Sequence, residues 1–173
     1  MATKLNQKFV HKTLLLLMVI GLAVVNTSCY TTQYLQPRTI ENQTVTTKSF
    51  DEVWDTAIDY VSSAGFTIST LEKASGLIVC KNVGVSSKAI TCESNGVLRN
   101  PDAYIVTNRQ CDEYLASVDF NIRVKNVEGG TSITVNLLNI NVRYFDIWWT
   151  GQWQPLAAQS TGVFEQYLLN HLK

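Results

Sequence analysis

One stretch, 115–125, constrains the fold more than any other part of the chain. Ala116, Val118, Phe120, Ile122 and Val124 alternate with Ser117, Asp119, Asn121, Arg123 and Lys125. In an extended chain the two sets point to opposite faces. A strand with one apolar and one polar face belongs to an antiparallel sheet covered on a single side. Glu128-Gly129-Gly130 then turns the chain, and Ile133, Val135 and Leu137 continue the alternation. Beyond them the apolar phase moves to Leu138, Ile140, Val142 and Tyr144. A slip of one residue inside a strand predicts a β-bulge near Leu137.

The cover for such a sheet is legible on either side of it. Ser49 and Glu52 are spaced as a capping box. After them Val53, Trp54, Ala57, Ile58 and Val61 fall on one helical face. Gly65 is a natural stop. Asp51, Asp55 and Asp59 line a different face and read as solvated, because a calcium site needs oxygens wrapped around one point. A closing helix is expected over about 161–172, with Phe164, Tyr167, Leu168, His171 and Leu172 on one face. Phe66–Leu71 and Leu77–Lys81 read as a hairpin. Thr44–Lys48 reads as an edge strand and Ala103–Thr107 as a short strand; the rest of 82–113 is irregular. The expected class is α+β, an antiparallel sheet of about 4–6 strands with two helices on one face in a two-layer domain.

Lys4, Lys8, His11 and Lys12 precede an apolar run, Leu14–Val25. Its 12 residues would span about 18 Å as a helix. A bilayer core needs about 30 Å. The run fits the apolar region of a signal peptide better than a membrane span. The organisation read from the sequence is a signal peptide over 1–28, a flexible tether over 29–44 and a single domain over 45–173.

Fourteen Lys and Arg balance fourteen Asp and Glu. That balance removes the electrostatic case for nucleic-acid binding. Without residues 1–28 the chain carries eleven basic and fourteen acidic residues, a net −3, and one histidine, His171. No nucleophile elbow, phosphate loop or metal-binding motif occurs. No catalytic residue, metal or cofactor is expected, and the chain reads as a non-enzyme. Asp112 and Glu113 are adjacent, so on a strand they diverge; with His171 they make only a weak case for a hydrolase.

Cys80 fits a packed strand position. Cys92 and Cys111 bracket the irregular insert. A bridge between them would close a loop of about twenty residues, contributing about 3 kcal/mol; it is expected to form if the chain is exported. Trp148, Trp149 and Trp153 follow Tyr144 and Phe145. They suit either a core under the last helix or a contact surface for a sugar, a partner or a membrane interface.

Two resemblances add to this reading. Val25-Asn26-Thr27-Ser28-Cys29 resembles a bacterial lipobox, with small residues before the cysteine and Asn26 where that family usually has an apolar residue. The resemblance implies that Cys29 becomes the acylated N-terminus and carries palmitate-type chains. Two or more such chains hold a protein stably on a membrane. Tyr30, in place of Asp, implies the outer membrane, and Tyr30-Thr31-Thr32-Gln33, with no acid, implies its periplasmic side. Second, Ser49-Phe50-Asp51-Glu52-Val53-Trp54, Ser75-Gly76-Leu77-Ile78 and Ser160-Thr161-Gly162-Val163-Phe164-Glu165 resemble uncharacterised bacterial envelope lipoproteins. These are similar to the helix-grip domains of BamC, the accessory lipoprotein of the outer-membrane β-barrel assembly machinery. That likeness concerns structure. The function it leaves open is binding or bracing another envelope component, or binding carbohydrate or peptidoglycan through the Trp148–Trp153 loop.

Overall fold

Alternation over the central strand produces the sheet that the sequence implies. The computed structural model describes residues 34–94, 96–109, 113–147 and 150–173. Its larger sheet has six strands: β1 (Gln43–Thr46), β2 (Ile68–Glu72), β3 (Leu77–Val85), β7 (Tyr114–Val127), β8 (Gly130–Asp146) and β9 (Gln152–Leu156). Spatially they run β1-β8-β7-β3-β2, with β9 also paired to β8, and every pairing is antiparallel. Helices α1 (Phe50–Ser63) and α2 (Val163–Leu172) cover its inner face. The fold is α+β with both helices on one side of the sheet, as expected.

The Ser49 capping box forms as the spacing predicts: Ser49 Oγ accepts from the Glu52 N–H and Glu52 Oε2 accepts from the Ser49 N–H at 2.8 Å. Gly65, in the left-handed region at φ +70°, ends the helix. Val53, Trp54, Ala57 and Val61 are buried against Ile78, Cys80, Phe120, Ile122, Ile133 and Val135 of the sheet. Asp51, Asp55 and Asp59 are exposed, and Asp51 pairs with Lys73 in water. In α2 the buried face is Phe164, Glu165, Leu168, Leu169 and Leu172. Tyr167 and His171, expected on that face, are exposed at its margin, where both rings meet Tyr60 of α1. Glu165 is buried instead. Its carboxylate accepts from Ser160 Oγ at 2.8 Å, which in turn accepts from the Gly162 N–H.

Two bulges flank Asp119 on the central strand. On β8 the register slips between the Ser117 and Asp119 rows, and on β3 between Cys80 and Val83. The extra residues include Asn139 (φ +46°) and Asn82 (φ +52°), an amide residue type that tolerates left-handed backbone. Asp119 holds both. Its Oδ1 accepts from the Asn82 N–H at 2.9 Å, and its Oδ2 accepts from Asn139 Nδ2 at 2.8 Å. Those two bonds, Asn139 first, hold its carboxyl below the usual range. The bulge foreseen near Leu137 therefore lies two residues further on, and Leu138 is exposed. Through the slips, inward positions run Ile78, Cys80, then Val83, Val85 on β3, and Val135, Leu137, then Ile140, Val142 on β8. Inward residues of β7 stay in one phase throughout.

Beyond the bulges a different layer covers the sheet. The insert, expected to be irregular apart from a strand over Ala103–Thr107, forms a second, four-stranded sheet. It comprises β4 (Ile90–Ser94), β5 (Val97–Leu98), β6 (Ile105–Thr107) and β10 (Ala158–Ser160), in the order β10-β6-β4-β5, with β4 and β6 parallel. Ile90 and Ile105 pack on Ala116, Val118 and Val142.

Gln33–Lys173 form one compact unit, and its hold on the chain begins before β1. Residues 34–42 have no regular secondary structure. Yet Gln159 Nε2 donates to the Gln36 carbonyl, Arg38 pairs with Glu93, Gln166 donates to the Glu41 carbonyl, and the Val135 N–H donates to the Asn42 carbonyl. Of the segment read as a tether over 29–44, the part from Gln36 onward is strapped across the domain. The reason is long-range pairing, which local composition does not show.

Candidate functional site

Helices and the second sheet cover only the inner face of the six-stranded sheet; the outer face is where contact chemistry collects. At one end β7, β8 and β9 lie side by side, and register places Leu115 beside Arg143 and Arg143 beside Pro155. Two residues further along β8, Phe145 is opposite Trp153. Their rings meet edge to face, 5.5 Å between centroids. Phe145 and Trp153 are 39 % and 41 % exposed, Leu115 54 % and Ile147, at the turn, 72 %. The β8 bulge creates this surface. Continued in the phase of Ile133 and Val135, Arg143 and Phe145 would point inward; the extra residue at Asn139 turns them outward.

Beneath the aromatic pair the hairpin is braced on its inner side. Arg109 Nη1 donates to Tyr144 Oη at 2.9 Å, its guanidinium 4.6 Å from the ring centre. Tyr114 Oη donates to the Arg109 carbonyl. Asp146 is buried; its carbonyl accepts from the Gly151 N–H at 2.7 Å and its carboxylate from Thr150 Oγ1 at 3.3 Å. Asp146 is therefore tied to Thr150 and Gly151 beside the aromatic pair. Pro155 removes one N–H from the β9 edge, which discourages pairing with another strand.

Elsewhere on the outer face, Asn42 Nδ2 donates to Asn136 Oδ1 at 2.7 Å and Asn136 Nδ2 donates to Asn121 Oδ1 at 2.8 Å. This amide ladder ties β8 to β7 and to the residue before β1. Lys81, Arg123, Lys125 and Arg143 are all exposed here, against two acids of the same face: Asp119, held by two neutral asparagine groups, and Glu72, which register places beside Leu77 and Arg123. The acid stripe of α1 lies on the opposite layer. The face is thus positive while the domain as a whole is not.

Trp153 packs on Phe145, not under the last helix; Trp148 and Trp149 lie outside the described residues, as do Cys29, Cys111 and Asp112. Glu113 is exposed just before β7, while His171 stacks on Tyr60 at the C-terminal end of α2. Among the described residues no contact joins Glu113 to His171. Cys80 and Cys92 are buried, and the bridge expected between Cys92 and Cys111 turns on a residue outside the described set.

Burial pushes the Cys80 thiol up to about 11. Lys81, next to it in sequence, is exposed and points away. Native protein treated with a maleimide at neutral pH is expected to leave Cys80 unlabelled, and urea-unfolded protein to label it fully, by peptide mass mapping. Rapid native labelling would show that the strand opens or that a base is near.

Arg143 and Phe145 were not singled out as a pair by sequence. The signal was present in the phase change after Leu137, but joining them to Trp153 and Pro155 required the β8–β9 register. In comparisons with known proteins, the chain matches no family model and no curated sequence.

Proposed function

We propose that this chain is a non-catalytic envelope lipoprotein, anchored at the periplasmic side of a bacterial outer membrane by acyl chains on Cys29, whose domain binds or braces another envelope component. The anchoring half of the reading rests on the basic start, the short apolar run and the lipobox-like residues before Cys29. The observation that carries the binding half is the open outer face, braced from below and bearing exposed aromatic and cationic groups. Rigid exposed aromatics lose little entropy on contact, which is why they recur at interfaces. A second reading, a carbohydrate- or peptidoglycan-binding module, is favoured specifically by the Phe145–Trp153 pair.

Two measurements test the proposal. In cells fed a palmitate analogue, the wild type should carry label and sediment with membranes, and Cys29→Ala should lose both. A wild type without label whose membrane retention is unchanged by the substitution ends the lipoprotein reading. Crosslinking in intact envelopes should capture a partner through the outer sheet face. Crosslinks confined to the helix layer would move the contact to the other side of the domain.

A further inference from the structure

We infer that the outer face around Arg143 is a binding site for a carboxylate-bearing glycan strand of the peptidoglycan kind, with sugar rings stacked on Phe145 and Trp153 and an acid group held by Arg143. This rests on the second reading above and narrows it to a substrate class and to named residues. Three observations carry it.

The first is the platform itself. Phe145 and Trp153 are each about two-fifths exposed, set edge to face, and continued by Leu115 and Pro155. Flat apolar rings offer the C–H face of a pyranose an extended contact without requiring a deep pocket. Pro155 interrupts the row of edge donors that a peptide strand would need.

The second is the cation within it. Arg143 is exposed between Leu115 and Pro155, and among the described residues no ion pair engages it. Its Cα lies about 7 Å from that of Phe145 along β8, two residues of extended chain. A carboxylate on a sugar stacked over the aromatic pair comes within its reach. Guanidinium accepts carboxylate in a two-bond fork, so the pairing is geometric as well as electrostatic.

The third is the charge of the face. Lys81, Arg123, Lys125 and Arg143 are exposed on it against two acids, Glu72 and Asp119, whereas Asp51, Asp55 and Asp59 lie on the helix layer. An acidic polymer is attracted to one side and repelled by the other, although the domain is net acidic.

The test uses the purified full chain in co-sedimentation with three insoluble polymers. These are peptidoglycan sacculi, the same sacculi with their carboxylates converted to amides, and chitin, a neutral polymer of related N-acetylated sugar. Wild type should bind sacculi about tenfold more tightly than amidated sacculi or chitin. Arg143→Gln should lose that same factor on sacculi and become indifferent to amidation. Trp153→Ala should weaken binding to all three, and Trp153→Tyr should largely restore it. Urea melts of each variant check folding; Arg143→Gln should melt close to wild type, and Trp153→Ala somewhat earlier, because its ring is packed on Phe145. Binding to sacculi and chitin that ignores amidation overturns the carboxylate site and leaves the glycan reading standing. Absence of binding to any of the three overturns both. Retained discrimination in Arg143→Gln shows that another cation does the work, and overturns the assignment to Arg143.

Discussion

Phe120→Ala is expected to lower the unfolding free energy by about 5 kcal/mol, the upper end for deleting a core aromatic ring. Phe120 is fully buried on the central strand, and its ring is edge to face with Phe66 at 5.4 Å and with Phe164 at 5.3 Å. It thus joins the sheet to the chain leaving α1 and to the first turn of α2. Removing it forfeits apolar burial and two aromatic contacts worth about 0.5–1.5 kcal/mol each. It also leaves a cavity in the core between the sheet and both helices. A single domain holds about 5–15 kcal/mol in all, so the substitution removes a third of the stability or more. Urea melts followed by far-ultraviolet circular dichroism decide it. A loss under about 2 kcal/mol would mean that the two helices can collapse onto the sheet without the ring.

Gly76→Ala is expected to cost about 4 kcal/mol, although it adds one methyl group. Gly76 has φ +66°, and a Cβ there would lie 1.9 Å from the Val124 carbonyl oxygen and 3.3 Å from Phe50 Cε2. The neighbour is backbone, so it cannot turn aside. Relief requires separating β3 from β7 at the place where the Val124 N–H donates to the Gly76 carbonyl at 2.8 Å. Left-handed backbone alone accounts for about 1–2 kcal/mol of the cost; the rest is the clash and the disturbed pairing. Gly65→Ala is the control. Gly65 has φ +70° but nothing within 4 Å of the added Cβ. Its cost should stop at the conformational share. Equal losses at the two sites, in parallel urea melts, would show that the approach of Val124 is readily relaxed.

Gly76 also marks how far a local reading reaches. Ser75-Gly76 could be recognised as a turn, but the reason only glycine fits is a carbonyl 48 positions away, on Val124. The same limit applies at Lys81, where the hairpin strand was expected to end. β3 runs on to Val85 because Asn82 takes the left-handed backbone of a bulge, and the bulge is held by Asp119 of another strand. On β8 a long apolar run made the corresponding slip visible, near Leu137. On β3 the residues after Cys80 were too few and too mixed.

Helix α1, the central β7 strand, its hairpin with β8 and the one-sided cover were determined by the sequence itself. Each depends on neighbours a few positions apart: a cap and its Glu52, apolar residues at helical spacing, or a period of two. Tertiary structure decided the second sheet, the strap from Gln36, the burial of Glu165 and the make-up of the outer surface. β4, β6 and β10 are three to five residues long, too short to carry a period, and they exist because segments far apart in the chain cover the sheet beyond its bulges. Trp153 could be noticed in the sequence, but its exposure could not be read there. That depended on the β8 bulge, which turns Arg143 and Phe145 outward, and on β9 pairing back to set Trp153 against them. Which face a side chain occupies follows from backbone phase, and phase after a bulge is fixed by hydrogen bonds to other strands.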